Sequence, residues 1–326
     1  MNLFVSLKYL VALDDHKHFG RAALASHVTQ PALSNALKAL EDNFGVAIVK
    51  RGRSFAGFTD EGQRILQSAR KMLREQELLQ QDLNSSDHAP SGQLTVGAVP
   101  TAMPIAARFV AMLNERHPGI RPKLRSMSSV DLEAGIESLA LDLGLGYLER
   151  TESVASARGN APPPNVSVQY IERYFLLRKA SGRRTKSLRV GAPISWSDAA
   201  SLPLCLLSPE MHHRTIVDRA FASAGAAPNI AIETSSILTL VLSVVAGRVC
   251  SVMPGALVSV VQGYPQLEAL PLVSPRIEVT MAFRVHESNR PSRTLEAALA
   301  LARDEAWLAE AAMHSSTGVD PHQTSV

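Results

Sequence analysis

The sequence predicts an α/β protein headed by an N-terminal all-α, winged helix-turn-helix domain. Three stretches carry that expectation. Residues 19–44, FGRAALASHVTQPALSNALKALEDNF, read as two short helices joined by a tight turn. Residues 60–83 read as one long amphipathic helix. From Gln93 onward, strand-like and helix-like segments alternate, the pattern of a layered α/β domain.

In chain order, Leu3 to Asp15 places Leu3, Leu7, Leu10 and Val11 on one side and predicts a helix behind the opening pair. In the first helix of the pair, Ala22, Ala23 and Leu24 permit close approach, with Val28 filling the corner. Thr29 is a good N-cap, and Pro31 falls in the first turn of the second helix, where a missing N–H costs little. Leu33, Leu37 and Leu40 then form one apolar face, leaving Gln30, Ser34, Asn35 and Lys38 outward. A polar face on a rigid helix pair suits the reading of base edges in a major groove. This segment alone also fits an ordinary helical hairpin.

Gly45 ends that helix, and residues 46–49 and 58–59 are expected to form two short strands around Lys50-Arg51-Gly52-Arg53-Ser54. A basic hairpin tip beside a helix-turn-helix is a wing, its arginines suited to phosphate or a minor groove, although a hairpin with charged tips looks the same. The chain's net charge is only +3, yet Lys17, Arg21, Lys38, Lys50, Arg51 and Arg53 face only Glu41 and Asp42 between residues 17 and 58. That local excess lies where phosphates would.

The helix over 60–83 spans about 36 Å at 1.5 Å per residue. Ile65, Ala69, Met72, Gln76, Leu79 and Leu83 follow four- and three-residue steps, a heptad seam predicting pairing with a second copy. Residues 84–92, NSSDHAPSG, read as a linker. Beyond it, strands are expected over 93–99, 120–127 and 141–145, with helices over 104–117 and 130–139, in a parallel sheet with right-handed crossovers. Pro162-Pro163-Pro164 is taken as the crossing into a second lobe with strands over 166–177, 204–207, 230–232 and 249–253 and helices over 214–224 and 236–246. Residues 267–272 and 277–285 are expected to return to the first lobe, with 292–313 as one closing helix. The expected division is thus 1–59 for the winged domain, 60–88 for the linker helix and hinge, and 89–326 for the two lobes. Within it, lobe I takes about 93–162 and 267–314, lobe II about 163–266, and 315–326 form a disordered tail.

Cys205 and Cys250 lack CxxC or Cys/His spacing, so neither a disulfide scaffold nor a zinc site is expected. No run of eighteen apolar residues and no signal-peptide pattern is present, so a cytoplasmic protein without membrane contact is expected. Enzyme readings find little support. Gly144-Leu145-Gly146 lacks the third glycine and helix start of a dinucleotide fingerprint, and no catalytic triad or carboxylate pair stands out. The side chains of adjacent His212 and His213 diverge and are expected at the surface, with no metal and no cofactor.

Taken together, FGRAALASHVTQPALSNALKALEDNFGV, then FTDEGQRIL, then two α/β lobes resemble the LysR-type transcriptional regulators over nearly the whole chain. The resemblance implies a regulator that binds double-stranded DNA, dimerises through the linker helix and assembles into homotetramers, with RNA polymerase as a possible further partner. It also implies a regulatory domain like a periplasmic binding protein, with a small effector between its lobes. By motif position, Thr29, Gln30, Pro31, Ser34 and Asn35 take the DNA-reading face, and Arg21, Lys38, Arg51 and Arg53 the backbone or wing. Many members carry arginine where Asn35 stands; asparagine prefers adenine edges and arginine guanine, so a different half-site is expected. LKYLVALDDHKHFGRAA resembles the peroxide-sensing branch, but His212 and Phe221 occupy the places of its redox cysteines, which argues against peroxide sensing.

For the effector, Pro100-Thr101 and Ser128-Ser129 each follow a strand and open a helix. Two hydroxyl-bearing helix starts facing one cleft suggest a small carboxylate or inorganic anion, though helix capping alone explains such residues. Leu207, Ser208, Thr234, Ser235 and Met253 are candidates from the second lobe. Two other functions stay open: an effector-independent, nucleoid-type DNA-binding protein, and a ligand-binding module acting through protein contacts.

Overall fold

The computed structural model describes residues 2–50, 52, 55–83, 89–148, 163–180, 186–287 and 291–316, with only the backbone of 81–83. Two compact units divide the chain: residues 1–88 with 137–140, and residues 89–136 with 141–326.

The first unit holds α1 (Leu3–His16), α2 (Phe19–Ala25), α3 (Gln30–Phe44) and α4 (Asp60–Leu83). Its core joins Leu7, Leu10 and Leu13 of α1 to Ala22 and Ala23 of α2 and Leu33, Leu37 and Leu40 of α3. Leu24 and Leu3 are exposed, contrary to expectation. On the seven-residue α2 only the two alanines are buried, and on α1 the buried stripe starts one turn after Leu3. The Thr29 hydroxyl accepts from the Ala32 amide at 3.3 Å, and Gly45 closes α3 in the left-handed region at φ 68°.

The expected strands of the wing reduce to one antiparallel bridge between Val49 and Phe58, flanked by Lys50 N–H to Gly57 O at 2.9 Å and Thr59 N–H to Ile48 O at 3.0 Å. Glu41 Oε1 accepts from the amides of Ile48 and Val49 at 2.7 and 3.0 Å, tying the base of the wing to the end of α3. Arg51, Arg53 and Ser54 lie outside the described residues.

At the start of α4, Thr59 Oγ1 accepts from the Gly62 amide at 2.9 Å. Gly62 passes so near the preceding segment that a Cβ there would lie 2.2 Å from Ile48 O. Arg70, nearly buried, donates to Asp14 and Asp15 at 2.7 and 3.0 Å and clamps α4 to the end of α1. The seam is therefore divided. Ala69 is wholly buried in this unit's own core with Ile65 against it, whereas Met72 and Leu79 are exposed and Gln76 half-buried. Only the second half of α4 offers an apolar edge, because the first half already packs on α1.

The second unit contains two lobes. In the first lobe, β1 (Gly92–Ala98) pairs in parallel with β2 (Ile120–Ser126) and β3 (Leu143–Tyr147), and α5 (Met103–Arg116) and α6 (Ser129–Glu137) follow β1 and β2. β4 (Val166–Lys179) begins in this lobe. Its residues 166–173 pair with β11 (Glu278–Arg284), which also pairs with β3, both antiparallel. In the second lobe, residues 174–177 of β4 pair with β9 (Cys250–Pro254) and 175–179 with β10 (Leu267–Val273). β7 (Leu204–Leu207) and β8 (Ile230–Thr234) extend that sheet in parallel with β9. β5 (Arg189–Val190) and β6 (Ile194–Ser195) are short edge pieces on β10.

Both lobes are consequently mixed rather than parallel. The crossing is β4 itself, not Pro163-Pro164, because one fourteen-residue strand serves both sheets. Residues 267–272 stay in the second lobe for the same reason: β10 pairs with the far half of β4. Around these sheets lie α7 (Trp196–Ala200), α8 (His212–Ser223), α9 (Ile237–Ala246) and α10 (Gly255–Val260). The closing helix is two, α11 (Arg293–Leu301) and α12 (Glu305–Ser316), broken where Asp304 accepts from the Trp307 amide at 3.1 Å and meets Arg116 at 3.0 Å. Residues 315 and 316, expected in the tail, belong to α12, and 317–326 lie outside the described residues. Trp307 is buried and its indole N–H donates to Gln169 Oε1 at 2.6 Å, docking α12 on β4.

Candidate functional site

On the first unit, Gln30, Pro31, Asn35 and Lys38 are exposed on α3 and Ser34 is half-buried, so these residue types share one accessible face over three buried leucines. Thr29 acts as the cap. Arg21 is exposed, its Nη2 donating to His16 O at 3.1 Å, which steadies the guanidinium across the turn between α1 and α2. His18 also belongs here: its Nδ1 accepts from the Gly20 and Arg21 amides at 3.1 and 3.3 Å and caps α2. An imidazole replacing the usual Ser, Thr or Asp left no cap signal for sequence reasoning.

In the second unit, the expected helix-start hydroxyls are largely engaged. Thr101 is buried and shares a 2.7 Å hydrogen bond with the Tyr147 hydroxyl. Ser128 Oγ donates to Asp131 Oδ2 at 2.8 Å and accepts from the Asp131 amide at 3.1 Å, so a carboxylate already occupies that helix start. Pro100 is half-buried, and Ser129 Oγ is buried with no hydrogen-bond partner among the described residues. Leu207 and Met253 are core residues of the second lobe, buried by the packing of α9 and α10 on its sheet. Thr234 Oγ1 accepts from the Ser236 amide, Ser208 N–H donates to Thr234 O, and Ser235 is exposed.

A cavity of about 270 Å³ is lined by Tyr147, His212, Ile216, Arg219, Ile277 and Val279 among others. The His212 and Tyr147 rings lie 4.6 Å apart. Cross-strand partners point to one face, and the register pairs Met281 with both Tyr147 and Tyr170, and Val279 with Glu172. Tyr170, Glu172 and Tyr174 thus stand in a row behind the cavity wall. All three are buried, Glu172 completely. Glu172 Oε1 accepts from the Tyr174 hydroxyl at 3.4 Å, while Glu172 Oε2 and Tyr170 Oη have no partner among the described residues.

Burial pushes the Glu172 carboxyl up to about 8, with the Tyr174 hydrogen bond opposing weakly. Burial, and then the Glu172 charge, raise the phenols of Tyr147, Tyr170 and Tyr174 well above the usual value. His213, expected at the surface, is buried, its two ring nitrogens without a hydrogen-bond partner among the described residues, and its ring lies 5.6 Å from that of Tyr174. Burial, with neighbouring His212 adding to it, lowers its pKa to about 3. The alternation Tyr-x-Glu-x-Tyr was visible in sequence, but its burial depends on strands far apart in the chain.

Gly144 and Gly146 lie inside β3, not in a phosphate-binding turn. Cys205 is buried and Cys250 half-buried; both are free thiols pushed up by burial, against weaker lowering by Ser243 and Arg178 respectively. Phe221 packs edge-on against Trp196 in the second-lobe core. Among the described residues no helix is long and apolar enough to cross a membrane.

Residues 4–63 match the family profile "Bacterial regulatory helix-turn-helix protein, lysR family", and residues 87–307 match "LysR substrate binding domain". The hydrogen peroxide-inducible genes activator of Dickeya chrysanthemi is 36% identical over 140 residues, 43% of this chain and 46% of that protein. The DNA-binding transcriptional dual regulator OxyR of Escherichia coli K12 is 36% identical over 137 residues, 42% of this chain and 45% of its own length. The matched region thus spans about half the length of these relatives. A full-length OxyR variant from Pseudomonas aeruginosa shares the fold with TM-score 0.67 and 23% identity, covering 98% of this chain and 100% of that one. Full-length CbnR, solved in complex with its target DNA, gives TM-score 0.60 at 19% identity, covering 95% and 99%. With one profile on the helix-turn-helix unit and the other on the two-lobed unit, the chain belongs to the LysR family of bacterial helix-turn-helix regulators.

Proposed function

We propose that the chain regulates transcription by binding specific double-stranded DNA through α3 and the wing, under the control of a small molecule held between the two lobes. One observation carries the DNA reading: Gln30, Ser34, Asn35 and Lys38 share the outer face of a helix whose inner face is locked by three buried leucines. Such a helix enters a groove without rearrangement. Gln30, Ser34 and Asn35 read base edges; Arg21, Lys38, Arg51 and Arg53 neutralise phosphate. Met72 and Leu79, exposed on the second half of α4, join two copies, which two half-sites require.

The effector site is best placed at the cavity between Tyr147 and α8, which is lined by Tyr147 from the first lobe and by His212, Ile216 and Arg219 from the second. The small anion suggested by the serine and threonine pairs finds less support, since the Thr101 and Ser128 hydroxyls are engaged and Asp131 stands at the same helix start. Effector binding closes the lobes about β4, shifts how copies assemble, and so changes the spacing of paired α3 helices and the bend of the DNA. Footprinting on the DNA flanking the gene tests this. A sharp protected site whose extent changes with a small molecule supports regulation. Uniform coverage supports a nucleoid-type binder, and no protection supports a module acting by protein contact.

A further inference from the structure

The far end of β4 carries a row of charges that the interlobe cavity does not use. Strand register sets Glu268 of β10 between Arg178 of β4 and Arg189 of β5. Glu268 Oε2 accepts from Arg178 Nε and its Oε1 from Arg189 Nε, both at 3.0 Å, with a further bond to Oε1 from Arg189 Nη2. Burial opposes ionisation, but the hydrogen bonds from Arg189 and Arg178 outweigh it and hold the Glu268 carboxyl below the usual carboxylate range. One guanidinium neutralises the carboxylate, and the second is in excess. The side chains of Arg178 and Arg189 are 36% and 45% exposed against 3% for Glu268, so an incoming molecule meets guanidinium N–H groups rather than the carboxylate. Their remaining N–H groups have no hydrogen-bond partner among the described residues.

These three side chains line a cavity of about 590 Å³ whose other walls include Val190, Pro193, Ile194 and Leu270. None of its lining residues borders the cavity between Tyr147 and α8. The sequence adds an independent observation: Arg178, Lys179, Arg183, Arg184, Lys186 and Arg189 stand between residues 178 and 189 with no Asp or Glu among them. Such a run raises the local concentration of anions. Arg183 and Arg184 lie outside the described residues and are no part of the site. The wall chemistry narrows the ligand. An ammonium would meet net positive charge, and a neutral molecule would leave the excess guanidinium unpaired. A phosphate dianion would overshoot the single excess charge and leave the apolar walls bare. A carboxylate matches the planar guanidinium fork, and a hydrocarbon body covers the apolar walls.

We propose that this cavity is a second ligand site, taking a small aliphatic monocarboxylate whose head group sits on Arg178 and Arg189 and whose body lies along Val190, Ile194 and Leu270. It goes beyond the interlobe effector and does not depend on it. No covalent bond changes, and no proton moves, because ligand and guanidiniums are both ionised at neutral pH.

Calorimetry on the full chain with sodium butyrate and sodium hexanoate tests the site, with 1-butanol, butylammonium chloride and sodium phosphate as controls. Hydrogen exchange locates it. Butyrate should bind, hexanoate should bind about tenfold more tightly, and exchange should slow at residues 189–194. Arg189→Gln leaves Glu268 its bond from Arg178, and Arg178→Gln leaves it those from Arg189. Each variant should keep its far-UV spectrum and bind hexanoate about tenfold more weakly. Silence from both carboxylates, undiminished affinity in both variants, or slowed exchange at residues 212–219 instead overturns the proposal. Phosphate binding as tightly as hexanoate would make this a bare anion site, and butanol binding as tightly as butyrate would remove the arginines from recognition; either result overturns it too.

Discussion

Asn35 stands on the exposed face of α3, and its amide fits the N6/N7 edge of adenine, where an arginine would favour guanine. Asn35→Ala should cost about 1–3 kcal/mol on the preferred site and little on random DNA. Quantitative footprinting checks this, and an equal loss on both DNAs would place Asn35 on phosphate. A second pair of residues sets a pH profile. Folded Glu172 keeps its proton up to about pH 8, while the unfolded carboxyl loses it near 4.5, so stability falls as pH rises through that window. His213 works oppositely: unfolded it takes a proton below 6.5, folded only near 3, so stability falls as pH drops through that range. The two slopes cancel between about pH 4.5 and 6.5. Above 6.5 Glu172 acts alone, at about 1.4 kcal/mol per pH unit. Glu172→Gln should flatten the loss between pH 6.5 and 8, about 2 kcal/mol, in urea melts at those two values. The helix that carries the proposed DNA-reading face was legible in sequence because cap, proline and leucine spacing are all local. The Glu172 cluster was not, because its burial is made by the β3–β11–β4 register and by α8.

At the scale of elements, α4 does two jobs. Its first half is held to α1 by Ala69 and the Arg70 ion pairs, and its start passes Ile48 so closely that only glycine fits at position 62. Gly62→Ala would favour helix but force Cβ onto a backbone carbonyl, so a net loss of about 1–3 kcal/mol is expected in urea unfolding. The second half exposes Met72 and Leu79. Leu79→Glu should weaken self-association in sedimentation equilibrium while leaving far-UV helicity at high concentration unchanged; an unaltered association constant would remove α4 as the joining element. The heptad was legible in sequence as periodicity, but periodicity does not say which turns pack on their own domain. The wing shows the same limit: Glu41 binds the Ile48 and Val49 amides, a contact that hydrophobic pattern does not encode.

For the molecule as a whole, the order of domains was readable from changes in hydrophobic period, from 3.6 in the opening helices to the strand–helix alternation after Gln93. The lobe boundary was not. Prolines suggested it, whereas hydrogen bonding places it inside β4, where residues 166–173 serve one sheet and 174–179 the other. The cysteines follow the same logic of context over composition. Cys205 is buried on β7 and Cys250 half-buried on β9, with thiols pushed up by burial, so neither has the exposed, acidified setting of a redox sensor. Sharing β4 has a mechanical consequence. Neither lobe can lose its sheet without stripping a partner strand from the other, so the two should melt together in one calorimetric transition. Hydrogen exchange should find the slowest amides of this unit at β4 residues 171–177, protected to the level of global unfolding. Two separate transitions, or early exchange at Tyr174, would mean that the strand behaves as a joint between independent bodies rather than as a common spine.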